Sequence, residues 1–113
     1  INIGDLVIST DLVHHDMNAV AFGYPVGQIP QMETFSFKSD EALRKLAVQA
    51  CKDVNPDIEV FEGRIASGDQ FVADQGVKDE IVKQFDAYAV EMEGAAIAQA
   101  AYLNNVPCSP RDL

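Results

Sequence analysis

The stretch AYAVEMEGAAIAQAAYLNN, residues 87–105, holds two elements of secondary structure and the junction between them. Residues 88–92 form a short apolar run that favours a buried strand, and residues 94–104 form an alanine-rich run that predicts a helix. The small side chains of this helix would let it pack closely on a sheet. Two carboxylates, Glu91 and Glu93, stand at the junction, where a buried strand ends and a helix begins.

Strands and helices alternate in the rest of the chain as well, which predicts an α/β protein built around a mostly parallel sheet. Residues 19–22 are open to interpretation as strand or loop, and residues 10–18 are predicted to be polar and irregular. The other predicted elements are strands at residues 5–9 and 58–66, a helix from Ser39 or Asp40 to about Val54, and a helix at residues 76–85 capped by Asp74.

The helix that follows Asp40 has the pattern of an amphipathic helix. Its charged and polar residues Lys45, Gln49 and Lys52 point away from its apolar side. The apolar residues that share one face at helical spacing are Leu43, Leu46, Ala47, Ala50 and Val54.

A long loop is predicted at residues 23–32, GYPVGQIPQM, because it contains two glycines and two prolines. It also carries four apolar side chains. A loop of this length with apolar residues is usually functional or covers another part of the protein.

The composition narrows the class of protein. The chain has 113 residues and a net charge of −10, from 18 acidic and 8 basic residues. This size predicts one domain or part of one, and the negative charge disfavours binding to nucleic acids or to anionic membranes. No apolar run approaches the roughly 20 residues that a membrane span needs. Cys51 and Cys108 lack metal-binding spacing, and the absence of a visible signal peptide favours a cytoplasmic location.

Both ends of the chain are unusual. It begins at Ile1 without a methionine, and NNVPC at residues 104–108 reads as a loop that leads into a further strand. The polar SPRDL that follows contains Pro110, which a central strand excludes. We therefore expect a fragment, with a partial domain at residues 1–107 and an aberrant polar tail at residues 108–113.

Two predicted strand ends are candidates for a binding site, because ligands of open α/β sheets lie beyond the carboxyl ends of the strands. One is IASGDQF at residues 65–71, and the other is AVEMEG at residues 89–94. If they meet at one edge of the sheet, they bring together an aromatic ring, several backbone groups and two carboxylates.

The two carboxylates have two interpretations, and the residues alone leave both open. Alternation along a strand puts Glu91 and Glu93 on the same side. They are either a polar strand exit that caps the next helix, or a pair that accepts hydrogen bonds from substrate hydroxyls. In the second case a carboxylate suits a vicinal diol such as ribose, and it would stabilise a cationic sugar transition state.

Other polar and aromatic residues near the strand ends have structural interpretations. A core position is the favoured interpretation of Phe71, with a stacking surface for a planar base as the alternative. Asp69 is expected to bond neighbouring amides in its turn. His14 and His15 would point to opposite sides of an extended chain, and no other histidine exists, so loop or interface histidines are favoured over a metal site.

Three segments together resemble a known family. They are HDMNAVAFGYPVGQIPQM at residues 15–32, IASGDQFV at residues 65–72 and AVEMEGAAIAQAAYLNNVP at residues 89–107. They resemble the bacterial 5'-methylthioadenosine/S-adenosylhomocysteine nucleosidases of the nucleoside phosphorylase superfamily, over about residues 3–107. The resemblance implies a partial three-layer αβα fold with a central mixed sheet, without the family's N-terminal and C-terminal elements.

The resemblance also implies an activity. Members of this family use water to cleave the N-glycosidic bond of 5'-methylthioadenosine and S-adenosylhomocysteine, which releases adenine, and they work as homodimers without metal or organic cofactor. By position, Glu93 matches the carboxylate that holds the ribose hydroxyls and Met92 the residue beneath the ribose. Glu91 matches a supporting residue near the water site.

The remaining matches concern the base, the alkylthio group and the partner subunit. Phe71 matches the ring that stacks on adenine, and Val72 matches the residue whose backbone pairs with the adenine edge. Ala19 and Phe22 match positions near the 5'-alkylthio pocket. Pro30 matches a loop residue that reaches the pocket of the partner subunit.

Two proton-handling groups of the family have no match among the 113 residues. These are the glutamate that positions the attacking water and the aspartate that protonates the leaving base, and Asp112 does not stand in the context of the latter. General acid and base groups typically contribute about 10²–10⁴-fold each, so we expect the 113-residue chain to be inactive by itself. The alternatives are a purine nucleoside phosphorylase and a non-catalytic remnant that binds adenosine or dimerises.

Overall fold

The computed structural model describes residues 2–112, which form one mixed sheet with helices on both faces. In chain order the elements are β1 (Leu6–His14), a 3-10 helix (Val20–Phe22), β2 (Phe37–Lys38), α1 (Glu41–Val54), β3 (Val60–Ser67), α2 (Gln75–Phe85), β4 (Ala87–Glu91), α3 (Gly94–Leu103) and β5 (Arg111–Asp112). The parallel strands β1, β3 and β4 lie side by side, and β2 and β5 both pair antiparallel with β1. The mixed α/β sheet predicted from the sequence is thus confirmed.

The core consists of two apolar clusters, one on each face of the sheet. Neighbouring residues of a strand point to opposite faces, so Leu12 and Val13 of β1 contribute to different clusters. The first cluster packs against α3 through Ala95 and Ala98, as expected for small side chains on a sheet. The second packs against α2, through residues that include Phe85. The sheet therefore separates α2 from α3, which makes three layers.

Strand β1 is longer than the sequence predicts. The polar segment that follows residue 9 was expected to be irregular, but β1 continues to His14. A bulge relative to β3 lies between Ser9 and Leu12 and accommodates the extra residues. Asp11 is tolerated there because Arg64 Nε and Nη2 donate to its two carboxylate oxygens at 2.9 and 2.7 Å.

The ion pair between Asp11 and Arg64 shifts the pKa of both groups. Burial by itself raises the pKa of the Asp11 carboxyl, but hydrogen bonds from Arg64 and Ser36 and the positive charges of Arg64 and Lys38 together outweigh it, so the pKa of Asp11 lies below its ordinary value. The hydrogen bond to Asp11 in turn raises the pKa of Arg64. The pair ties β1 to β3 next to the bulge, since these two strands each supply one partner.

The predicted helix caps are confirmed. Asp40 accepts a hydrogen bond from Leu43 N at 2.9 Å, and Asp74 accepts one from Val77 N at 3.0 Å. Helix α1 nevertheless buries none of its residues. Two members of its predicted apolar face, Leu46 and Val54, are 67% and 75% exposed.

The predicted loop covers both clusters at once. Ile29 and Met32 pack against the first cluster, while Val26 packs against the second, as does Phe35, which follows the loop. Gly27 has a φ of 96°, and a Cβ there would lie 2.8 Å from a carbon of the Phe85 ring. The predicted loop therefore packs against both core clusters, as expected for a long loop that carries apolar side chains.

The last described residues lie beside β1. Pro110 O accepts hydrogen bonds from both Ser9 N, at 3.1 Å, and Ser9 Oγ, at 2.6 Å. Arg111 and Asp112 then pair with Ile8 and Val7 as β5. Pro110 thus precedes an edge strand and does not interrupt a central one. The last residue of the predicted polar tail, residue 113, lies outside the described residues.

Within residues 2–112, no helix is long and apolar enough to cross a membrane.

Candidate functional site

The carboxyl ends of three parallel strands lie side by side at one edge of the sheet. His14 of β1 is in register with Ser67 of β3, and Ser67 is in register with Glu91 of β4. Backbone hydrogen bonds continue the alignment beyond the strands, from His15 N to Ser67 O at 2.9 Å and from Gly68 N to Glu91 O at 3.2 Å. The meeting of the two strand ends that the sequence predicts is confirmed.

A pocket of about 150 Å³ opens at this edge, and we call it the rim pocket. It lies between the turn after β3 and the junction of β4 with α3. Five of the eight site residues predicted from the sequence line it, together with Gln70 and Val90, which are not among the predicted residues. The lining residues are Gln70, Phe71, Val72, Val90, Glu91, Met92 and Glu93.

Both oxygens of the Glu91 carboxylate accept hydrogen bonds at the start of α3. Its Oε2 accepts from Glu93 N at 2.9 Å and from Gly94 N at 2.7 Å. Its Oε1 accepts from the hydroxyl of Ser67. That hydroxyl also accepts from Ala95 N at 2.8 Å. For Glu91, the interpretation as a helix cap is therefore correct.

Glu93 differs from Glu91 although only one residue separates them. It is the N-cap residue of α3, yet its side chain makes no capping hydrogen bond, and the residue is exposed at the rim pocket. Strand β4 ends at Glu91, one residue earlier than the predicted strand, so the alternation that would place both carboxylates on one side does not extend to Glu93. Its carboxylate is free to accept hydrogen bonds from a ligand.

The aromatic ring of the rim pocket is open to solvent. Phe71 is 83% exposed, so the favoured interpretation of this residue as a core aromatic is wrong. The neighbouring Val72 is half-buried and packs against the second apolar cluster, which anchors the turn beneath the ring. An exposed ring on an anchored backbone can stack on a planar group.

The turn after β3 is held by residues from the end of β1. Asp69 N donates to Asp16 Oδ2 at 2.7 Å, so the carboxylate that bonds the amide of this turn comes from Asp16. The ring of His15 is buried against Gly68, where an added Cβ would lie 2.5 Å from His15 Nε2. His14 Nε2 lies 3.0 Å from Gln99 Oε1 of α3. Both histidines thus have packing or hydrogen-bonding roles.

Three predicted site residues do not line the rim pocket. Ala19 is buried just before the 3-10 helix, and Phe22, within that helix, is 82% exposed. Pro30 is exposed in the loop that covers the core. The structure therefore assembles the predicted ribose and base positions, and leaves the alkylthio and partner-subunit positions separate from them.

The arrangement combines one free carboxylate, one open aromatic ring and the start of a helix. A carboxylate accepts hydrogen bonds from hydroxyls, while an aromatic ring binds a flat, partly apolar group. No group of three or more side chains suited to a metal ion occurs in the part of the chain that the structure describes. These features suit a ligand that has both hydroxyls and a planar ring.

Comparisons with known proteins give a consistent picture. The chain matches the profile of the phosphorylase superfamily over residues 1–109. It is 47% identical over 108 residues to the 5'-methylthioadenosine/S-adenosylhomocysteine nucleosidase of Anoxybacillus flavithermus, which covers 95% of this chain and 46% of that protein. The chain thus spans about half the length of the curated relatives that it matches.

Solved structures share the fold. The Neisseria meningitidis 5'-methylthioadenosine/S-adenosylhomocysteine nucleosidase, in complex with methylthio-immucillin-A, is similar with a TM-score of 0.91 and 40% identity, covering 98% of this chain and 48% of that chain. A futalosine hydrolase mutant of Helicobacter pylori is similar with a TM-score of 0.88 and 39% identity, covering 98% of this chain and 49% of that chain.

Proposed function

Because the chain belongs to the phosphorylase superfamily, we propose that its rim pocket binds the ribose and adenine of 5'-methylthioadenosine or S-adenosylhomocysteine. We further propose that the whole protein hydrolyses the N-glycosidic bond of these nucleosides to adenine and a thioribose product. The relatives that carry this name, and the nucleosidase structure described above, support the choice of substrate.

The observation that carries the proposal is the free carboxylate of Glu93 beside the exposed ring of Phe71 in one pocket. In the proposed complex, Glu93 accepts hydrogen bonds from the ribose hydroxyls and Phe71 stacks on adenine. The backbone of Val72 faces the adenine edge. As the glycosidic bond breaks, the sugar gains positive charge, and the nearby carboxylate stabilises it.

The size of the rim pocket agrees with a role in holding part of the nucleoside. Its volume of about 150 Å³ is below the roughly 300–1,000 Å³ of pockets that enclose a whole drug-sized ligand. The pocket is therefore suited to the sugar and base contacts and leaves the alkylthio group outside it. We propose that Ala19 and Phe22 contact that group, as the family resemblance implies.

The test is calorimetric titration of the purified protein with 5'-methylthioadenosine and with adenine alone. We expect Glu93→Gln to weaken binding of 5'-methylthioadenosine about 10-fold or more, because hydrogen bonds to charged groups contribute roughly 1.5–3 kcal/mol each. Binding of adenine should not change, since adenine has no hydroxyl for Glu93 to hold. The matched control is Glu80→Gln, at an exposed position of α2 that does not line the rim pocket.

Two results would contradict the proposal. One is wild-type protein that binds neither ligand. The other is an equal loss of affinity in the Glu93→Gln and Glu80→Gln variants, which would show that the effect is one of overall charge. Binding without release of adenine by the whole protein would instead favour a non-catalytic remnant.

A purine nucleoside phosphorylase is the second candidate, since the profile that the chain matches describes the phosphorylase superfamily. The two reactions differ in the nucleophile, which is phosphate in one and water in the other. Release of adenine by the whole protein should proceed in phosphate-free buffer if the proposal is right. A strict requirement for phosphate would establish the alternative.

We also propose that the protein works as a cytoplasmic homodimer in methionine salvage. The exposed Phe22 and Pro30 support a protein contact near the 3-10 helix, and Pro30 would then reach the pocket of the partner subunit. Sedimentation equilibrium of the wild type and of Phe22→Ser is the test. A monomeric wild type at assay concentration would refute the dimer.

A further inference from the structure

The start of α3 is capped by side chains from the strands below it. Three successive backbone N–H groups, of Glu93, Gly94 and Ala95, find acceptors on Glu91 and Ser67. In most helices the side chain of the N-cap residue itself supplies such an acceptor. Here the N-cap residue is Glu93, and its side chain makes no capping bond.

The two capping side chains also hold each other. Ser67 donates its hydroxyl proton to Glu91 Oε1 and accepts from Ala95 N. Ser67 is buried, and it lies directly opposite Glu91 in the register of β3 and β4. The ends of the two strands and the start of the helix are thus joined through one hydroxyl and one carboxylate.

This arrangement leaves Glu91 little capacity for a ligand. One of its oxygens accepts from a hydroxyl and the other accepts from two backbone N–H groups. If Glu91 turned toward a substrate or a water, the N–H of the buried Gly94 would lose its partner, which costs about 1–3 kcal/mol for a buried group. These hydrogen bonds favour a structural role for Glu91 over the supporting role near the water site that the family resemblance implies.

The same arrangement decides what Glu93 can do. Helix starts favour negative charge, so an acidic N-cap residue would ordinarily turn toward the free N–H groups. The carboxylate of Glu91 already accepts hydrogen bonds from N–H groups at the helix start. One of these donors is the backbone N–H of Glu93 itself, at 2.9 Å. The backbone of Glu93 is held while its carboxylate stays free at the rim pocket.

We propose that Glu91 and Ser67 are positioning residues for ribose binding, which act only through the backbone and carboxylate of Glu93 and do not touch the ligand. This inference rests on the proposed function of the rim pocket. It requires the effect of Glu91 on affinity to be specific to the ribose and to depend on Glu93.

A double-mutant cycle on the purified protein tests this dependence. Titrations with 5'-methylthioadenosine and with adenine are made for Glu91→Ala, Glu93→Ala and the double variant. We expect Glu91→Ala to weaken binding of 5'-methylthioadenosine about 10-fold and binding of adenine less than about twofold. In the Glu93→Ala background the same change should have almost no further effect, because residues that act through one another are not additive.

Two controls separate positioning from general loss of structure. Glu91→Gln keeps a side-chain oxygen that accepts from the helix start, so it should recover most of the affinity and remain folded if the alanine variant does not. Asp40→Ala removes a helix cap of similar geometry on α1, which does not line the rim pocket, and should leave both affinities unchanged.

Hydrogen exchange of the Gly94 and Ala95 amides provides a readout that needs no ligand. Both should exchange faster in Glu91→Ala and Ser67→Ala than in the wild type. Unchanged exchange would overturn the proposal, as would equal losses of affinity for the two ligands or equal losses in the two backgrounds. Wild-type protein that binds neither ligand would instead refute the proposed function, so the two failures are distinguishable.

Discussion

Helices α1 and α3 begin in different ways. Asp40 caps α1 with its own side chain, which accepts from Leu43 N three residues later, so the cap is local in sequence. At the start of α3, Glu91 also accepts from an N–H three residues later, that of Gly94, but the second cap comes from Ser67, which is 28 residues from Ala95. A local cap stabilises a helix by itself, whereas a cap made by neighbouring strands also fixes the helix to the sheet and frees its own N-cap residue.

The two helices also differ in burial, and the helix with the clearer amphipathic pattern is the less buried one. Helix α1 has the clearer amphipathic pattern but buries no residue, while the almost uniformly apolar α3 buries Gly94, Ala95 and Ala98. Small side chains allow α3 to approach the sheet closely, and the cap from the strands holds it there. The strength of a periodic pattern therefore does not decide which helix packs most closely.

The largest expected effect comes from removing the cap that the strands supply. Glu91→Ala should lower the free energy of unfolding by about 2–3 kcal/mol, because several hydrogen bonds are lost and Ser67 keeps a buried hydroxyl without its acceptor. Urea denaturation measures this difference. The replacement Glu91→Gln should cost clearly less. A loss below about 0.5 kcal/mol would mean that the cap on α3 does not stabilise the fold.

A second change tests how closely α3 approaches the sheet. In Gly94→Ala the new Cβ would lie 2.9 Å from Leu12 Cδ2 and 3.0 Å from Glu91 Oε1, so we expect a loss of about 1–2 kcal/mol. Gly76→Ala in the first turn of α2 is the matched control, since its Cβ would meet only Asp74 Oδ2. Thermal unfolding of both variants is the measurement, and equal stabilities would contradict the close packing.

Removing the local cap should have a smaller effect. Asp40→Ala is expected to lower the free energy of unfolding by about 1 kcal/mol, which is typical for the loss of an N-cap. The affected helix buries no residue, so its fraying disturbs the core little. Urea denaturation alongside Glu91→Ala compares the two caps directly. A larger loss for Asp40→Ala than for Glu91→Ala would reverse the comparison.

The smallest effect is expected on the exposed apolar face of α1. Leu46 is 67% exposed, so Leu46→Gln should change the free energy of unfolding by less than about 0.5 kcal/mol. Ala98→Gln, at a buried position of α3, is the contrasting variant and should be strongly destabilising. Urea denaturation at two protein concentrations checks the result. A large loss for Leu46→Gln would show that another surface covers this face in solution.

Much of the fold follows from local signals in the sequence. Asp40 and Asp74 mark the starts of two helices, and both act as caps because an N-cap needs only a side-chain oxygen and the next turn of the chain. The strand ends at the rim pocket were also predictable, since parallel strands bring their carboxyl ends to one edge. The continuation of β1 to His14 was not, because Asp11 is compatible with a strand only when Arg64 lies next to it.

The candidate site likewise has features that the sequence predicts and features that it does not. The position of Phe71 in a turn after β3 can be read from the sequence, but its exposure cannot, because burial depends on which other elements lie over the ring. Asp16 and Ser67 gave no signal either. Each acts on a segment more than 25 residues away in the chain, where no spacing rule applies.

The sequence by itself determined that the chain is an α/β protein, that two carboxylates stand where a strand passes into a helix, and which family the segments around them resemble. Only the tertiary structure decided which of the two carboxylates caps the helix and which remains available to a ligand. Glu91 turns to the helix start because Ser67 of the neighbouring strand lies opposite it, and Glu93 stays free because the N–H groups it would cap are already taken. The physical reason is that two donors to Glu91 are local N–H groups of the helix start, whereas Ser67, 24 residues away in the chain, reaches Glu91 only after the sheet has formed.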